Sequence, residues 1–254
     1  KFDIEIISFL KNINFIDMDA LTEKGNYILS RSYAYGVTAS YLRTFTHLED
    51  LIFANSNTIW RKDDFNNEYH VNRALNVWGS GKSHKNYFNK IDAYIKNIFN
   101  QPLDTQPKGI ADMGCGDGSF LYHLYNLVEN NTLRGKELGD YPLSLIGADY
   151  NQAALNETLE TFRNKPCKPM IILADISNPD KYADDIKNQY SIDIKDFLNV
   201  RSFLDHNRTI NLKRTENEYR FKSLTTNAFA WKGLKINSFN IQNDLVNHFK
   251  KWKK

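Results

Sequence analysis

The stretch GIADMGCGDGSF, Gly109 to Phe120, decides how the rest of the chain is read. Ile110, Ala111 and Met113 form a short apolar run of the kind that becomes a buried strand, and Phe120, Leu121, Leu124 and Leu127 follow at helical spacing. Gly114, Gly116 and Gly118 therefore sit in a strand-to-helix turn, where they allow positive φ and let a ligand approach the backbone. The helix start behind them brings amide donors that have no partner within the helix. A plain structural turn is the other reading of this spacing, but the strand and helix periods on its two sides agree with a ligand-binding one.

A dinucleotide site built on such a turn would rest a pyrophosphate on the helix N-terminus behind G-x-G-x-x-G. Here Asp112 precedes the first glycine and Asp117 lies inside the loop, so a pyrophosphate would meet two repelling carboxylates. S-adenosylmethionine carries no phosphate, and its sulfonium and amino groups are cationic, so an acid at the strand end attracts its methionine half. The pattern D-x-G-x-G-x-G from Asp112 to Gly118 resembles the first motif of the class I S-adenosylmethionine-dependent methyltransferases.

Outward from the loop, strand and helix patterns alternate: Ile110 to Met113, Ser119 to Glu129, Leu143 to Asp149, Gln152 to Arg163, Met170 to Asp175, Lys181 to Tyr190 and Phe197 to Phe203. This order predicts an α/β fold, a Rossmann-like, doubly wound and mostly parallel sheet with right-handed crossovers. Residues 130–142, NNTLRGKELGDYP, read as a polar loop. The first 100 residues read as a helical lid, with Ala39, Leu42, Phe45, Leu48 and Leu51 among the periodic apolar positions, a polar and aromatic stretch from Asp63, and a helix from Tyr87 to Phe99. The expected division is a lid at 1–100 and a core at 101–254, joined through the turn-rich Pro102 to Gly109. After the C-terminal helix carrying Leu245, Val246, Phe249 and Trp252 no further strand is legible, so the sheet is expected to be incomplete, with a partner or later segment completing it.

With 254 residues, 41% hydrophobic and 25% charged, the chain suits one large domain, or one with a small accessory layer, and has no apolar run long enough to span a bilayer. The N-terminal KFDIEIISFL has no signal-peptide pattern. Cys115 in the glycine loop and Cys167 beside prolines make no disulfide framework, which points to a reducing cytoplasm. Residues 211–254 hold 10 basic and 3 acidic side chains, so this tail is either a solvated helix end or a surface for an acidic partner such as a nucleic acid or carrier protein.

In doubly wound sheets ligands lie beyond the carboxyl ends of the strands. Asp149 is placed to accept both ribose hydroxyls of the cofactor, with Tyr150 beside it, and Asp175 to accept from the adenine amino group, with Ile176 as an apolar wall. Both acids also have plain uses, as a helix N-terminal charge and as an ordinary strand end. With the loop residues Gly114, Cys115, Gly116, Asp117 and Gly118 and with Asp112, they make up the candidate cofactor site. Beyond the last strand, NVRSFLDHNR packs Arg201, Asp205, His206 and Arg208 together. His206 has the intrinsic pKa of a base near neutrality, Asp205 could orient it or take a proton itself, and Arg201 and Arg208 could hold an enolate, carboxylate or phosphate oxygen. Asp205 and His206 are also candidate ligands for a divalent metal, and the cluster has a structural alternative as a buried ion-pair network.

The segments NVWGSGKSH at Asn76 to His84, PKGIADMGCGDGSFLYHLY at Pro107 to Tyr125, LIGADYN and VRSFLDHNR together resemble methyltransferase domains of trans-acyltransferase-type polyketide synthases, including loading-module relatives. The resemblance covers residues 35–210 well. It implies methylation of an acyl thioester on acyl carrier protein among neighbouring synthase domains, at the α-carbon or at a β-oxygen. It implies His206 or Asp205 as base, Tyr33, Tyr35, Trp78 and His84 on the lid side, and leaves open a metal that stabilises an enolate. A nucleic-acid methyltransferase and a non-catalytic cofactor-binding scaffold are the alternatives from other functional classes. Against the first, Phe249 and Trp252 fall at core spacing with Leu245.

Overall fold

The fold is described from a computed structural model, which places residues 2–55, 57, 59, 61–63, 68–202, 204, 205, 210, 225, 227–231 and 234–253, with the side chains of all of these except Phe2, Asn86 and Trp231. The N-terminal layer holds α1 (Phe2–Asn12), a two-residue antiparallel ladder of β1 (Ile16–Asp17) and β2 (Ala20–Leu21), and then α2 (Glu23–Ser30), α3 (Tyr33–Ser40), α4 (Leu42–Phe45) and α5 (Leu48–Phe53). It is helical as the periodicity predicts, apart from that small ladder. The Thr22 side chain caps α2 by accepting from the Gly25 amide.

The long α6 (Arg73–Phe88) begins well before the expected helix start at Tyr87, because Asn72 caps it, its Oδ1 accepting from the Leu75 amide at 3.1 Å. After one 3-10 turn α7 (Asp92–Phe99) follows. Then comes the alternating part: β3 (Gly109–Met113), α8 (Ser119–Asn131), α9 (Leu133–Lys136), β4 (Ser144–Asp149), α10 (Gln152–Phe162), β5 (Met170–Leu173), α11 (Pro179–Tyr190) and β6 (Phe197–Val200). The strands pair in parallel in the order β5-β4-β3-β6, so the chain switches sides between β3 and β6. This is the Rossmann-like sheet read from the alternation.

Each face of the sheet has its own apolar cluster. Phe88, Ile95, Phe99, Leu121, Leu124, Val128 and Phe162 bring α6, α7, α8 and α10 onto one face, and Tyr182, Ile186 and Trp252 bring α11 and the C-terminal helix onto the other. Burial of these apolar groups holds the layers together. The stretch 130–142 is more than a polar loop, since α9 buries Arg134. Its guanidinium donates to Gln106 Oε1 at 2.9 Å and to the Pro107 carbonyl at 3.0 Å, bonds that compensate for removing the charge from water.

At the C-terminal end β7 (Phe229–Trp231) and β8 (Leu234–Ile236) form a separate antiparallel hairpin before α12 (Ser238–Trp252). Among the described residues no strand follows that helix, as expected, but these two short strands before it were not anticipated. Among the described residues they do not pair with the four-stranded sheet. No described helix is long and apolar enough to cross a membrane.

Candidate methyltransferase site

The carboxyl ends of β3, β4, β5 and β6 open onto one cavity of about 1010 Å³. Asp112, the glycine loop, Asp149 and Tyr150, Asp175 and Ile176, and Ser202 and Leu204 line it from the sheet side. The three glycines have φ of +86° at Gly114, +58° at Gly116 and +73° at Gly118, the left-handed region that side chains resist. Gly114 also lacks room for a side chain, because a Cβ there would lie 2.4 Å from Leu204 Cδ2, across the switch point between β3 and β6.

The loop amides are largely committed within the protein. Gly114 and Cys115 donate to the Ala148 carbonyl at 2.7 and 3.0 Å, and Gly116 donates to Asp149 Oδ2 at 3.2 Å. Asp117, just ahead of α8, accepts from the Ser119 amide at 3.0 Å and its hydroxyl at 2.8 Å. The helix N-terminus, which the sequence offers as open donors, thus faces a carboxylate, and this arrangement disfavours a phosphate there. The Cys115 thiol is buried, and burial pushes its pKa up, so it is a packing group beside the Thr158 hydroxyl at 3.3 Å.

Asp112 is 2% exposed, and its Oδ1 has no hydrogen-bond partner among the described residues. Burial, with Asp149 and Asp117 nearby, pushes its carboxyl up to about 7. A buried, unsatisfied carboxyl lining a cavity is a receptor for a cation, and an ammonium group would supply both the missing hydrogen bond and the missing charge. Asp149 is held by the Asn151 amide on Oδ1 at 3.0 Å and the Gly116 amide on Oδ2, and its remaining lone pairs can accept two hydroxyls. Burial raises its pKa, opposed by those amides, by that of Tyr150 and by the charge of Arg73. Asp175 accepts from the Ser177 amide at 2.8 Å.

The loop after β6 is tied down from α12. His248, 4% exposed, makes a 2.6 Å hydrogen bond through Nε2 with Asp205 Oδ1. Arg201 lies 3.9 Å from the same carboxylate and stacks on Trp252 with 4.3 Å to the ring centroid. Trp252 Nε1 donates to the Ile176 carbonyl at 2.9 Å, and Lys251 Nζ to that of Ser177 at 2.9 Å. One helix thereby braces both the loop after β5 and the loop after β6. His206 and Arg208 lie outside the described residues. Among the described residues no group of three His, Cys, Asp or Glu side chains is placed to hold a metal ion, and Asp205 is bonded to His248, 43 residues away.

The opposite wall comes from the N-terminal half. Val37 and Tyr41, then Ile59, Arg61, Lys62, Glu68, His70, Arg73, Val77 and His84 face the strand ends. Burial lowers the pKa of both His70 and His84. Lys62 reaches across to the core, with Nζ 2.9 Å from the Tyr150 hydroxyl and 4.4 Å from its ring centroid. Of the four residues expected on the lid side, His84 lines the cavity and Trp78 packs against Gly36. Tyr35 is exposed, and neither it nor Tyr33 lines the cavity. Val37 and Arg73 carry no motif; the signal that could have found this wall is the pair of glycines, Gly36 and Gly79, inside otherwise helical stretches.

Residues 68–254 match the protein family described as the AprA MT2-like domain, and residues 1–55 match the AprA winged helix domain. The chain belongs to the AprA MT2-like domain family. It is accordingly a methyltransferase domain of the kind associated with polyketide synthases. No curated protein matches it. In this AprA MT2-like chain the methyltransferase match begins at residue 68, so α6 and α7 fall within it, while Ile59, Arg61 and Lys62 of the cavity wall lie between the two matched regions.

Proposed function

We propose that this domain transfers a methyl group from S-adenosylmethionine to the α-carbon of an acyl thioester carried on acyl carrier protein. The observation that carries the donor half is Asp112, a buried carboxylate with an unmet oxygen at the floor of a cavity that also presents Asp149 and Asp175. In this reading Asp112 binds the donor's ammonium, Asp149 its ribose hydroxyls and Asp175 its adenine amino group, with Tyr150 and Ile176 as walls and the loop from Gly114 to Gly118 against its methionine half. The bound sulfonium supplies an electrophilic methyl carbon. The protein's work is then alignment, water exclusion and removal of one proton from the acceptor.

We assign that proton to the segment from Arg201 to Arg208. Asp205, oriented by His248, and His206 are the proposed bases, and Arg201 and Arg208 the proposed donors to an enolate oxygen. The packing of Trp252 against Arg201 and Ile176 uses an aromatic residue that a nucleic-acid platform would need, which weighs against the nucleic-acid reading. In this reading residues 1–100 act as lid over a core at 101–254, with α6 and α7 of the lid half packed onto the sheet, and neighbouring synthase domains deliver the carrier.

The test is incubation of the full chain with deuterated-methyl donor and acyl carrier proteins bearing malonyl or β-ketoacyl units, with and without chelator, followed by mass and NMR analysis of the released acyl group. Label on the α-carbon is the expected result. Label on oxygen alone would replace the carbon assignment with O-methylation, and loss of transfer with chelator would bring a metal into the site.

A further inference from the structure

The cavity is at the upper end of the range of roughly 300–1,000 Å³ that takes one drug-sized ligand, so it has room for an acceptor beside a nucleoside-sized donor. The strand-end acids occupy one wall. The other carries the apolar Val37, Ile59 and Val77 among polar and charged residues such as Glu68 and Arg73, and Tyr41 stands beside His70 with 6.2 Å between ring centroids. We infer that the N-terminal segment builds the acceptor half of the site, with Val37 and Tyr41 setting the size of the acyl group that enters. The inference rests on the reading above that the acceptor is an acyl thioester.

The two side chains are four residues apart, Val37 in α3 and Tyr41 capping its C-terminal end, which puts them on one face. What brings that face to the cavity is an unusually close helix crossing. A Cβ at Gly79 of α6 would lie 2.8 Å from the Val37 amide nitrogen, and a Cβ at Gly36 would lie 3.1 Å from Gly79 Cα and 3.0 Å from the Trp78 ring. Hydrogen bonds pin the same crossing: the Asn72 amide donates to the Ser40 carbonyl at 2.8 Å, Asn76 Nδ2 to Ser40 Oγ at 3.0 Å, and Thr44 Oγ1 to the His70 carbonyl at 2.8 Å. Ser40, which accepts two of these bonds, is 1% exposed. Backbones held this closely leave Val37 and Tyr41 little freedom to retreat, and a wall that cannot retreat discriminates by size.

The experiment uses the full chain loaded with S-adenosylhomocysteine and a series of acyl-pantetheine thioesters, acetyl, isobutyryl and hexanoyl, with affinities measured by calorimetry. Transfer to the matching carrier proteins is followed in parallel. Val37→Phe is expected to weaken isobutyryl and hexanoyl binding about tenfold or more relative to acetyl, and Val37→Ala and Tyr41→Ala to shift preference toward the larger groups by a similar factor, the scale of one or two methylenes in an apolar pocket. Affinity for S-adenosylhomocysteine is expected to stay within about twofold, as for a wall remote from the donor. Tyr41→Phe, which keeps the ring, is the control for folding and should leave the size order intact.

A uniform change across the series, a parallel fall in S-adenosylhomocysteine affinity, or no thioester binding by the unaltered chain each overturns the inference. If thioester selectivity shifts while the unaltered chain transfers no methyl group, the acceptor wall stands and the reaction assignment falls. If transfer proceeds and selectivity is unmoved, the wall falls and the reaction stands.

Discussion

The sheet from β3 to β6 and the helical layer at residues 2–55 are built on opposite principles. In the first, Ile110, Leu121, Leu124, Ile146 and Ile186 are fully buried, and strand and helix patterns meet in two continuous apolar clusters. In the second, the buried positions among the described residues are Gly25, Gly36 and Ser40, while Ile4 is 72% and Phe53 82% exposed. The core is shaped by its own large side chains. The layer takes its place from small residues that let its backbone approach α6, and so depends on a neighbour for its position.

The largest effect expected from breaking this contrast is Gly109→Ala in the core. Its Cβ would lie 2.3 Å from the Ser144 carbonyl oxygen and 2.4 Å from the Phe197 ring, both in the interior of the sheet, so a loss of about 3 kcal/mol is expected in a denaturant titration. Equal midpoints for the two proteins would mean that the sheet yields where it is packed most tightly.

Asp112→Asn follows. Replacing an ion-paired acceptor by a neutral one is expected to weaken S-adenosylmethionine binding by roughly 10- to 100-fold, the range of a charge-assisted hydrogen bond. The pH dependence has a definite sign. Asp112 is raised to about 7, so affinity for a cationic ligand should rise as pH passes upward through about 7, and the Asn variant should lose that step. The ligand-free protein runs the other way. A carboxyl whose pKa is raised on folding stabilises most below its ordinary value of 3.8, and that contribution declines as pH rises toward about 7. Melting temperatures across pH, with and without ligand, check both signs.

Gly79→Ala tests the layer. The added methyl meets the Val37 amide, and the better helix propensity of Ala returns part of the cost, leaving about 1–2 kcal/mol. Hydrogen exchange should speed up in α3 and leave β3 to β6 unchanged, and equal acceleration in both would make the two regions one cooperative unit. The smallest effect belongs to Trp252→Phe, which keeps a ring beside Arg201 but removes the N–H bonded to Ile176. About 1 kcal/mol, seen as a few-fold loss of cofactor affinity, is expected from calorimetry.

The contrast also explains what was legible in the sequence. Strand ends at Asp112, Asp149 and Asp175 could be read because the sheet alternates with its helices and each acid closes an apolar run. The acceptor wall could not, because Val37 and Tyr41 reach the cavity through a crossing between helices far apart in the chain, and a helical period says which face is apolar without saying what it meets. The pairing of Asp205 with His248 spans 43 residues, a separation that no local motif covers. Arg134 was hidden for a related reason: inside NNTLRGKELGDYP a charged residue reads as solvated, and only Gln106 and Pro107, brought near by the fold, make its burial tolerable. The hairpin at Phe229–Ile236 was missed because each of its strands is only three residues long.

One contact in the glycine loop bears on the order of events during synthesis. The amides of Gly114 and Cys115 hang from the carbonyl of Ala148, more than thirty residues later in the chain. The loop therefore has no fixed shape until β4 has emerged and aligned beside β3. On the proposed reading, a growing chain gains affinity for S-adenosylmethionine only after that long-range pairing is made, and the onset of binding marks the moment at which the parallel sheet has found its register.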